Sequence, residues 1–253
     1  MVFLHAHPDD ESIFTGGTMA KLALSGCRVV LVVATGGELG EPTLQAAGSP
    51  SLRDLRVEET VRAAEVLGVE RLELLGYRDS GMAGSAANDE PGSFHRADPE
   101  DAARRVAGIL AEERAVAAVV YDAHGIYGHP DHVQVHAVGV RAARLAGVDT
   151  VYESTVDREY LHFVETHVVV EAGGHLGELG LAATGLGVPT VMVTNVVDVR
   201  DVLDRKRRAM AAHASQIPET ASAMQLPTHS FSAVYGFEWF VRLGPPGPID
   251  ALA

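Results

Sequence analysis

The alternation of short apolar runs with amphipathic segments is the feature of this 253-residue chain that most constrains its fold. The apolar runs predict buried strands at residues 2–6, 28–34, 71–75, 116–121 and 149–153. Segments with helical periodicity separate them, at residues 12–25, 52–67, 99–114 and 131–146. Near-continuous apolar strands alternating with helices are typical of a parallel sheet covered on both faces. The sequence therefore predicts an α/β fold with a Rossmann-like, doubly wound and mostly parallel sheet.

Two similar polar motifs follow two of the predicted strands. The first is His5-Ala6-His7-Pro8-Asp9-Asp10-Glu11, and the second is His129-Pro130-Asp131-His132. Each motif alone is ordinary helix-start chemistry, because proline and acidic residues are common in the first turn of a helix. In a doubly wound sheet, however, ligands bind outside the carboxyl ends of the strands. Both motifs are therefore expected to converge on one edge of the sheet, where they would share a metal ion.

The types of side chain in the motifs indicate how a metal would be held. Cys27 is the only cysteine, so a cysteine-rich zinc cluster is excluded and the ligands must be histidines and carboxylates. His7, Asp10 and His132 form a two-histidine, one-carboxylate set that leaves a coordination position for water, as in catalytic zinc sites. Ligand type alone also allows Fe²⁺ or another first-row divalent ion.

The remaining motif residues are candidates for proton transfer. Asp9 is adjacent to a ligand and is the natural general base. His129 lies three residues before a ligand and is expected to act on the substrate carbonyl, as an oxyanion partner or a proton donor. Asp131 is expected to hold an imidazole in its tautomer. His5, inside a strand, is interpreted as a hydrogen-bonded core histidine.

The C-terminal part of the chain carries weaker signals. It predicts strands at residues 167–171 and 190–197, a helix at 200–214 and one or two strands within 231–243. A glycine-rich stretch at 173–180 lacks the Gly-x-Gly-x-x-Gly spacing of a dinucleotide loop, which argues against a nicotinamide cofactor.

The length of the chain is in the range of a single α/β domain. We expect one domain over residues 1–253, with the metal-binding core in 1–150. Residues 151–253 are expected to form an extension of strands and one helix that shapes the substrate pocket.

Composition and charge exclude several kinds of partner. No apolar run approaches the roughly 20 residues of a membrane helix, and no secretory signal pattern precedes the first motif. The formal net charge of −14 argues against binding nucleic acid through a basic surface. The one dense basic run, residues 205–208, is interpreted as the solvated face of a helix. We expect a cytoplasmic protein with a small-molecule substrate and with no nucleic-acid or membrane partner. The sequence also allows assembly into a homo-oligomer.

Both motifs resemble the signatures of the PIG-L (LmbE-like) family of zinc-dependent N-deacetylases. The signatures Ala-His-Pro-Asp-Asp-Glu and His-Pro-Asp-His are intact here at residues 6–11 and 129–132. Residues 36–41, 77–84 and 127–128 are similar to the branch of the family that deacetylates N-acetylglucosaminyl-inositol in the mycothiol pathway.

The resemblance implies roles for individual residues. It implies zinc on His7, Asp10 and His132, with Asp9 as general base and His129 stabilising the oxyanion. It further implies that Tyr127 is a mobile residue near the carbonyl. The implied contacts to the sugar or the inositol are Glu41, Arg56 and Asp79.

The function that we predict is hydrolytic removal of the acetyl group from an N-acetylglucosaminide-type amino sugar, such as N-acetylglucosaminyl-inositol, which releases acetate and a free amine. One alternative is an amidase that acts on a thiol conjugate or a secondary metabolite. A second alternative is a non-catalytic α/β module that binds a metal or a nucleotide, in which the acidic motifs only cap helices.

Overall fold

A mostly parallel sheet forms the centre of the molecule. The computed structural model describes residues 1–43, 46, 51–166 and 185–253. Within these residues the strands are β1 (Val2–His5), β2 (Val30–Thr35), β3 (Arg71–Tyr77), β4 (Ala118–Tyr121), β5 (Val151–Thr155), β6 (Asn195–Asp198) and β7 (Phe237–Leu243). Their order is β3-β2-β1-β4-β5-β7-β6. Pairing is parallel from β3 to β5 and antiparallel where β7 joins β5 and β6, which confirms the predicted fold class.

Helices cover both faces of the sheet. The α-helices in the described residues are α1 (Asp10–Phe14), α2 (Gly16–Leu24), α3 (Leu52–Leu67), α4 (Pro99–Glu112), α5 (Gly125–Gly128), α6 (Pro130–Ala146), α7 (Arg158–Val164), α8 (Leu203–Ala212), α9 (Ser222–Gln225) and α10 (Thr228–Tyr235). Leu4 of β1 packs with α4 and α6, whereas its neighbour Phe3 packs with α2, α3 and α8. This alternation follows from the two-residue repeat of a strand, and it explains why the central strands are apolar throughout. None of the described helices has the length and apolarity needed to cross a bilayer.

The first predicted helix is interrupted. The periodicity predicts one helix over 12–25, but Thr15, with φ of −137°, ends α1 and precedes α2. Its hydroxyl lies 2.9 Å from Nε2 of His5, which places it in the core. Beyond the break, the backbone N–H groups of Gly17 and Thr18 donate to the Glu238 carboxylate. The break is stabilised by partners that are distant in sequence, so local periodicity could not predict it.

The C-terminal extension is more helical than expected, and two predicted segments lie outside the described residues. A helix, α10, occupies the start of the expected 231–243 strand region, because Phe231, Val234 and Tyr235 are spaced for one buried helical face. The expected 190–197 strand is a short 3₁₀ turn followed by β6. The described part of the extension holds four α-helices, where the sequence predicted one. The expected strand at 167–171 and the glycine-rich stretch at 173–180 lie outside the residues that the structure describes.

The interpretation of the basic run as a solvated helix face is wrong for Lys206. This side chain is 1% exposed, and its Nζ atom donates to Oε1 of Glu238 at 2.7 Å. The same carboxylate accepts from the N-terminal amides of α2 at 2.7 and 2.8 Å. Glu238 on β7 therefore connects α8 to α2 through buried charge-assisted hydrogen bonds.

Replacement of Glu238 by glutamine is expected to destabilise the protein by about 3–5 kcal/mol, because it leaves the buried Lys206 ammonium without its counter-charge. Urea unfolding measures the effect. Glu100→Gln is the matched control, since it changes a carboxylate that pairs with Arg141 on the surface, and its unfolding midpoint is expected to equal that of the wild type. Equal midpoints for Glu238→Gln and the wild type would contradict the assignment.

The carboxyl ends of the parallel strands meet at one edge, as the motif positions predict. His7 follows β1, the glycine-containing segment 36–40 follows β2, and Asp79 follows β3. His129 and His132 lie beyond β4, at the start of α6. Residues from all four connections line or border one open cavity of about 220 Å³.

Candidate active site

Two histidines and one aspartate meet between the ends of β1 and β4. Asp10 is the first residue of α1, and His132 lies in the first turn of α6. The Oδ2 atom of Asp10 lies 3.3 Å from Nδ1 of His7 and 3.2 Å from Nε2 of His132. All three side chains are buried. Burial alone would raise the pKa of Asp10. The adjacent imidazoles of His132 and His7 instead hold this pKa well below its usual range.

This donor set fits a divalent metal ion. Two imidazole nitrogens and a carboxylate oxygen are the ligands of many catalytic zinc sites, and two atoms about 2.1 Å from a tetrahedral ion lie roughly 3.4 Å apart. The distances from Asp10 to the two histidines match that spacing. A buried carboxylate is stabilised by hydrogen bonds and nearby positive charge, and a bound divalent ion would supply such charge. His7, Asp10 and His132 therefore form a cluster that can bind a metal.

Asp131 contacts the far side of the His7 ring. Its Oδ2 atom lies 3.2 Å from Nε2 of His7, the distance of a hydrogen bond that Nε2 donates when Nδ1 binds a metal. Ser80 holds Asp131 in turn, because its backbone N–H donates to Oδ2 at 2.9 Å and its hydroxyl donates to Oδ1. Asp131 is fully buried and contacts His7 without lining the cavity.

Asp9 lines the cavity beside the His7, Asp10 and His132 cluster. Arg56, on α3, donates through Nη2 to Oδ2 of Asp9 at 3.0 Å and to the carbonyl oxygen of Pro8 at 2.5 Å. Burial raises the pKa of Asp9 to about 6, although the Arg56 guanidinium opposes the shift. A carboxylate with a pKa near neutrality is ionised at pH 7 and still basic enough to accept a proton.

His129 lines the cavity as a neutral ring. Its Nδ1 atom accepts from the backbone N–H of Asp131 at 3.1 Å, so the ring proton is on Nε2. Burial and the neighbouring His7 and His132 lower the pKa of His129 to about 4. At pH 7 this side chain therefore offers an N–H donor to a ligand.

Tyr127 completes this side of the cavity. Its hydroxyl lies 3.3 Å from Nε2 of His132, and burial raises its pKa well above the usual value, so the phenol stays protonated. The preceding residue, Ile126, has a φ of +64°, a backbone conformation that is rare for a β-branched residue. The loop that carries Tyr127 is fixed by Asp122, which accepts from the amides of His124 and Ile126.

The three expected substrate contacts differ in their surroundings. Arg56 and Asp79 line the cavity, whereas Glu41 is exposed and is not among the lining residues. The Asp79 carboxylate accepts from the backbone N–H groups of Leu39 at 3.3 Å and Gly81 at 2.8 Å. The exposed side chains of Leu39 and Met82 form an apolar rim. The cavity thus has acidic side chains in its interior and partly apolar side chains at its opening.

Sequence reasoning missed several residues that support the site. Ser80 fixes Asp131, and Asn88 fixes the loop around Ser80 by donating to its carbonyl oxygen at 2.6 Å. Glu11 and His213 form a buried pair next to Asp9. The position of Ser80 directly after Asp79 was a local signal, whereas His213 is distant in sequence and had none. His5 contacts Tyr121 and Thr15, as expected for a hydrogen-bonded core histidine.

Comparison with known families identifies the chain. The PIG-L family, described as GlcNAc-PI de-N-acetylase, matches residues 2–143, which include both motifs and all the described residues that line the cavity. The chain belongs to the PIG-L family. As a PIG-L protein with deacetylases among its relatives, it is a hydrolytic N-deacetylase.

A curated relative extends the similarity of this PIG-L protein over nearly its whole length. The 1D-myo-inositol 2-acetamido-2-deoxy-alpha-D-glucopyranoside deacetylase of Thermomonospora curvata is 38% identical, with 99% of this chain and 93% of the relative covered. The similarity therefore includes the C-terminal extension.

Solved structures place the PIG-L protein in a fold that supports more than one reaction. The N,N'-diacetylchitobiose deacetylase of Pyrococcus horikoshii has a TM-score of 0.62 and 21% identity, with 96% of this chain and 83% of that chain covered. The 4-carboxy-2-hydroxymuconate hydratase of Pseudomonas putida also has a TM-score of 0.62, with 20% identity and coverage of 98% and 96%. At such identities the likeness shows the fold alone, so the reaction must be argued from the site.

Proposed function

We propose that this chain hydrolyses the acetamido group of an N-acetylglucosaminyl inositol or a closely related glycoside, releasing acetate and a free amine. The observation that carries the proposal is the 38% identity, over 99% of the chain, to a deacetylase named for such a substrate. Asp9 and His129, beside the metal-binding cluster, supply the groups that amide hydrolysis needs. A module that only binds a metal has no need of either.

Zinc is the metal that we propose, with His7, Asp10 and His132 as its ligands. When bound, the ion supplies a Lewis acid that polarises the amide carbonyl and lowers the pKa of water. Asp131 keeps Nε2 of His7 protonated and so directs the lone pair of Nδ1 toward the metal position.

In this proposal Asp9 acts first as the general base and then as the general acid. Its carboxylate takes a proton from the attacking water while the water oxygen forms a bond to the carbonyl carbon. Asp9 then gives that proton to the amide nitrogen as the carbon–nitrogen bond breaks, so the amine leaves neutral. The Arg56 guanidinium holds the carboxylate in place during both transfers.

His129 and Tyr127 act on the carbonyl oxygen. Negative charge develops on this atom as water attacks, and donors aimed at it stabilise the transition state. His129 is suited to this role because its protonated Nε2 atom is fixed by the bond that Nδ1 accepts. The Tyr127 hydroxyl adds a second donor from a phenol that stays protonated.

Asp79, Arg56 and Glu41 are proposed substrate contacts of different kinds. The Asp79 oxygens accept backbone N–H groups and retain lone pairs for a sugar hydroxyl. Arg56 binds Asp9, so it acts on the base as well as on the substrate. Glu41 lies outside the cavity and contacts only a substrate that extends beyond the rim.

We also propose that residues 1–253 work as one domain. Support comes from the sheet, which β5, β7 and β6 continue without interruption. Within the described residues, the cavity lining comes from residues 7–129, so this part of the extension supports the pocket from behind.

Turnover of defined glycosides tests the substrate. We expect N-acetylglucosaminyl inositol to be hydrolysed with a kcat/KM at least about 10-fold above that of free N-acetylglucosamine, because contacts outside the reacting group increase specificity. Release of the primary amine is measured with an amine-reactive fluorophore, with metal-stripped protein as the control. Hydrolysis of a thiol-conjugate amide without turnover of either glycoside would contradict the proposal.

A further inference from the structure

Asp9 has a backbone conformation that aspartate rarely adopts. Its φ is +97° and its ψ is −31°, in the left-handed half of conformational space. Non-glycine residues stay in such conformations only when their surroundings hold them there. The next residue, Asp10, begins α1 with its carboxylate between His7 and His132. The turn at Asp9 allows two adjacent carboxylates to face different partners.

Two side chains hold the main chain on either side of this turn. Arg56 binds the carbonyl oxygen of Pro8 at 2.5 Å, which fixes the peptide plane before Asp9. The N–H of the same peptide, on Asp9, donates to Oε2 of Glu11 at 3.0 Å. A guanidinium and a carboxylate thus hold opposite edges of one peptide group.

Glu11 is itself fixed by two further donors. Its Oε1 atom accepts from the Ser12 hydroxyl and from Nε2 of His213, both at 2.6 Å. Neither Glu11 nor His213 is exposed to solvent. The two side chains are therefore joined by a short hydrogen bond that is closed to solvent.

We propose that Glu11 and His213 form a positioning pair that holds the main chain of Asp9 in its left-handed conformation and so aims the Asp9 carboxylate into the cavity. The proposal rests on the proposed role of Asp9 as general base. Neither residue lines the cavity or belongs to the metal-binding cluster, so both act through Asp9 and not on substrate or metal.

A double-mutant cycle tests the pair. Glu11→Gln preserves the side-chain volume but replaces one of the two oxygens that contact His213 and the Asp9 N–H by an amide NH₂. We expect kcat to fall about 10- to 100-fold through misplacement of the base, with KM and metal content unchanged. His213→Ala is expected to give a similar loss, and His213→Gln to recover part of it by restoring an N–H donor. In an Asp9→Asn background, adding Glu11→Gln is expected to change the residual rate by less than about twofold.

Glu238→Gln is the matched control for disruption of a buried ion pair. It is expected to lower stability while leaving kcat at the wild-type value, because Glu238 contacts α2 and Lys206 and not the site. If Glu11→Gln lowered kcat in the Asp9→Asn background by the same factor as in the wild type, the proposal would be overturned. That result would show that Glu11 acts independently of Asp9.

A crystal structure of Glu11→Ala gives a readout independent of turnover. We expect Asp9 to leave the positive-φ region once its N–H acceptor is removed. Retention of φ near +97° would overturn the positioning role. If Glu11→Ala does not fold, Glu11→Met, which fills more of the volume but offers the Asp9 N–H no oxygen acceptor, is examined for the same angle. A wild-type protein that hydrolyses no N-acetylglucosaminide would refute the proposed function, whereas the angle at Asp9 would still decide the positioning role.

Discussion

Replacement of Asp9 by asparagine is expected to lower kcat by about 10²- to 10⁴-fold while the protein keeps its metal and its fold. The substitution removes the proposed proton acceptor. It retains the volume of the side chain, and asparagine tolerates the positive φ of this position. Steady-state kinetics and metal analysis of the same sample measure both effects.

A surface substitution of the same kind serves as the control. Glu58→Gln on the exposed side of α3 also replaces a carboxylate by an amide, and we expect wild-type kinetics from it. An Asp9→Asn variant with unchanged kcat would remove Asp9 from the proton-transfer step. Loss of metal from the variant would instead indicate that Asp9 is needed to bind the ion.

Replacement of His132 by alanine is expected to abolish metal binding and, with it, turnover. His132 provides one of three clustered donors, and its ring is held by stacking on Tyr121 at a centroid distance of 4.4 Å. Loss of a hydrogen-bond partner of a metal ligand typically weakens binding 10- to 100-fold, so loss of a ligand is expected to cost more than about 100-fold in metal affinity. Titration with Zn²⁺ against a competing chelator measures this directly.

His136→Ala is the matched control for this change. His136 lies one turn further along α6, where its Nδ1 atom contacts the carbonyl oxygen of Tyr121 and the carboxylate of Glu153. It is outside the cavity, and its replacement is expected to leave metal affinity and turnover near the wild-type values. Full metal occupancy in His132→Ala would contradict the ligand assignment.

The convergence of the two motifs could be predicted because each motif is a short local segment that follows a strand. His7 and Asp10 are three residues apart, and His129 and His132 repeat that spacing at the start of α6. Their meeting follows from one rule of parallel sheets, namely that strand ends on the same edge share a site. The order β3-β2-β1-β4 places β1 next to β4, which brings the motifs into contact.

The contacts that the sequence did not predict join residues from distant parts of the chain. Lys206 is in a basic run that resembles an exposed helix face, and only the position of Glu238 on β7 explains its burial. The same applies to the break at Thr15, beyond which the first amides of α2 donate to Glu238. Hydrophobic periodicity carries no information about such pairs, since a polar residue fits a polar face until its partner is known.

The pair of Glu11 and His213 also has a consequence for biosynthesis of the chain. These residues are 202 positions apart, so the N-terminal motif leaves the ribosome long before its histidine partner is made. Until His213 has been synthesised, Glu11 lacks its hydrogen-bond partner and the turn at Asp9 lacks part of its support. Contacts between such distant residues form late in folding, because closing the intervening loop costs entropy. We therefore expect the turn at Asp9 to reach its folded geometry only near the end of synthesis.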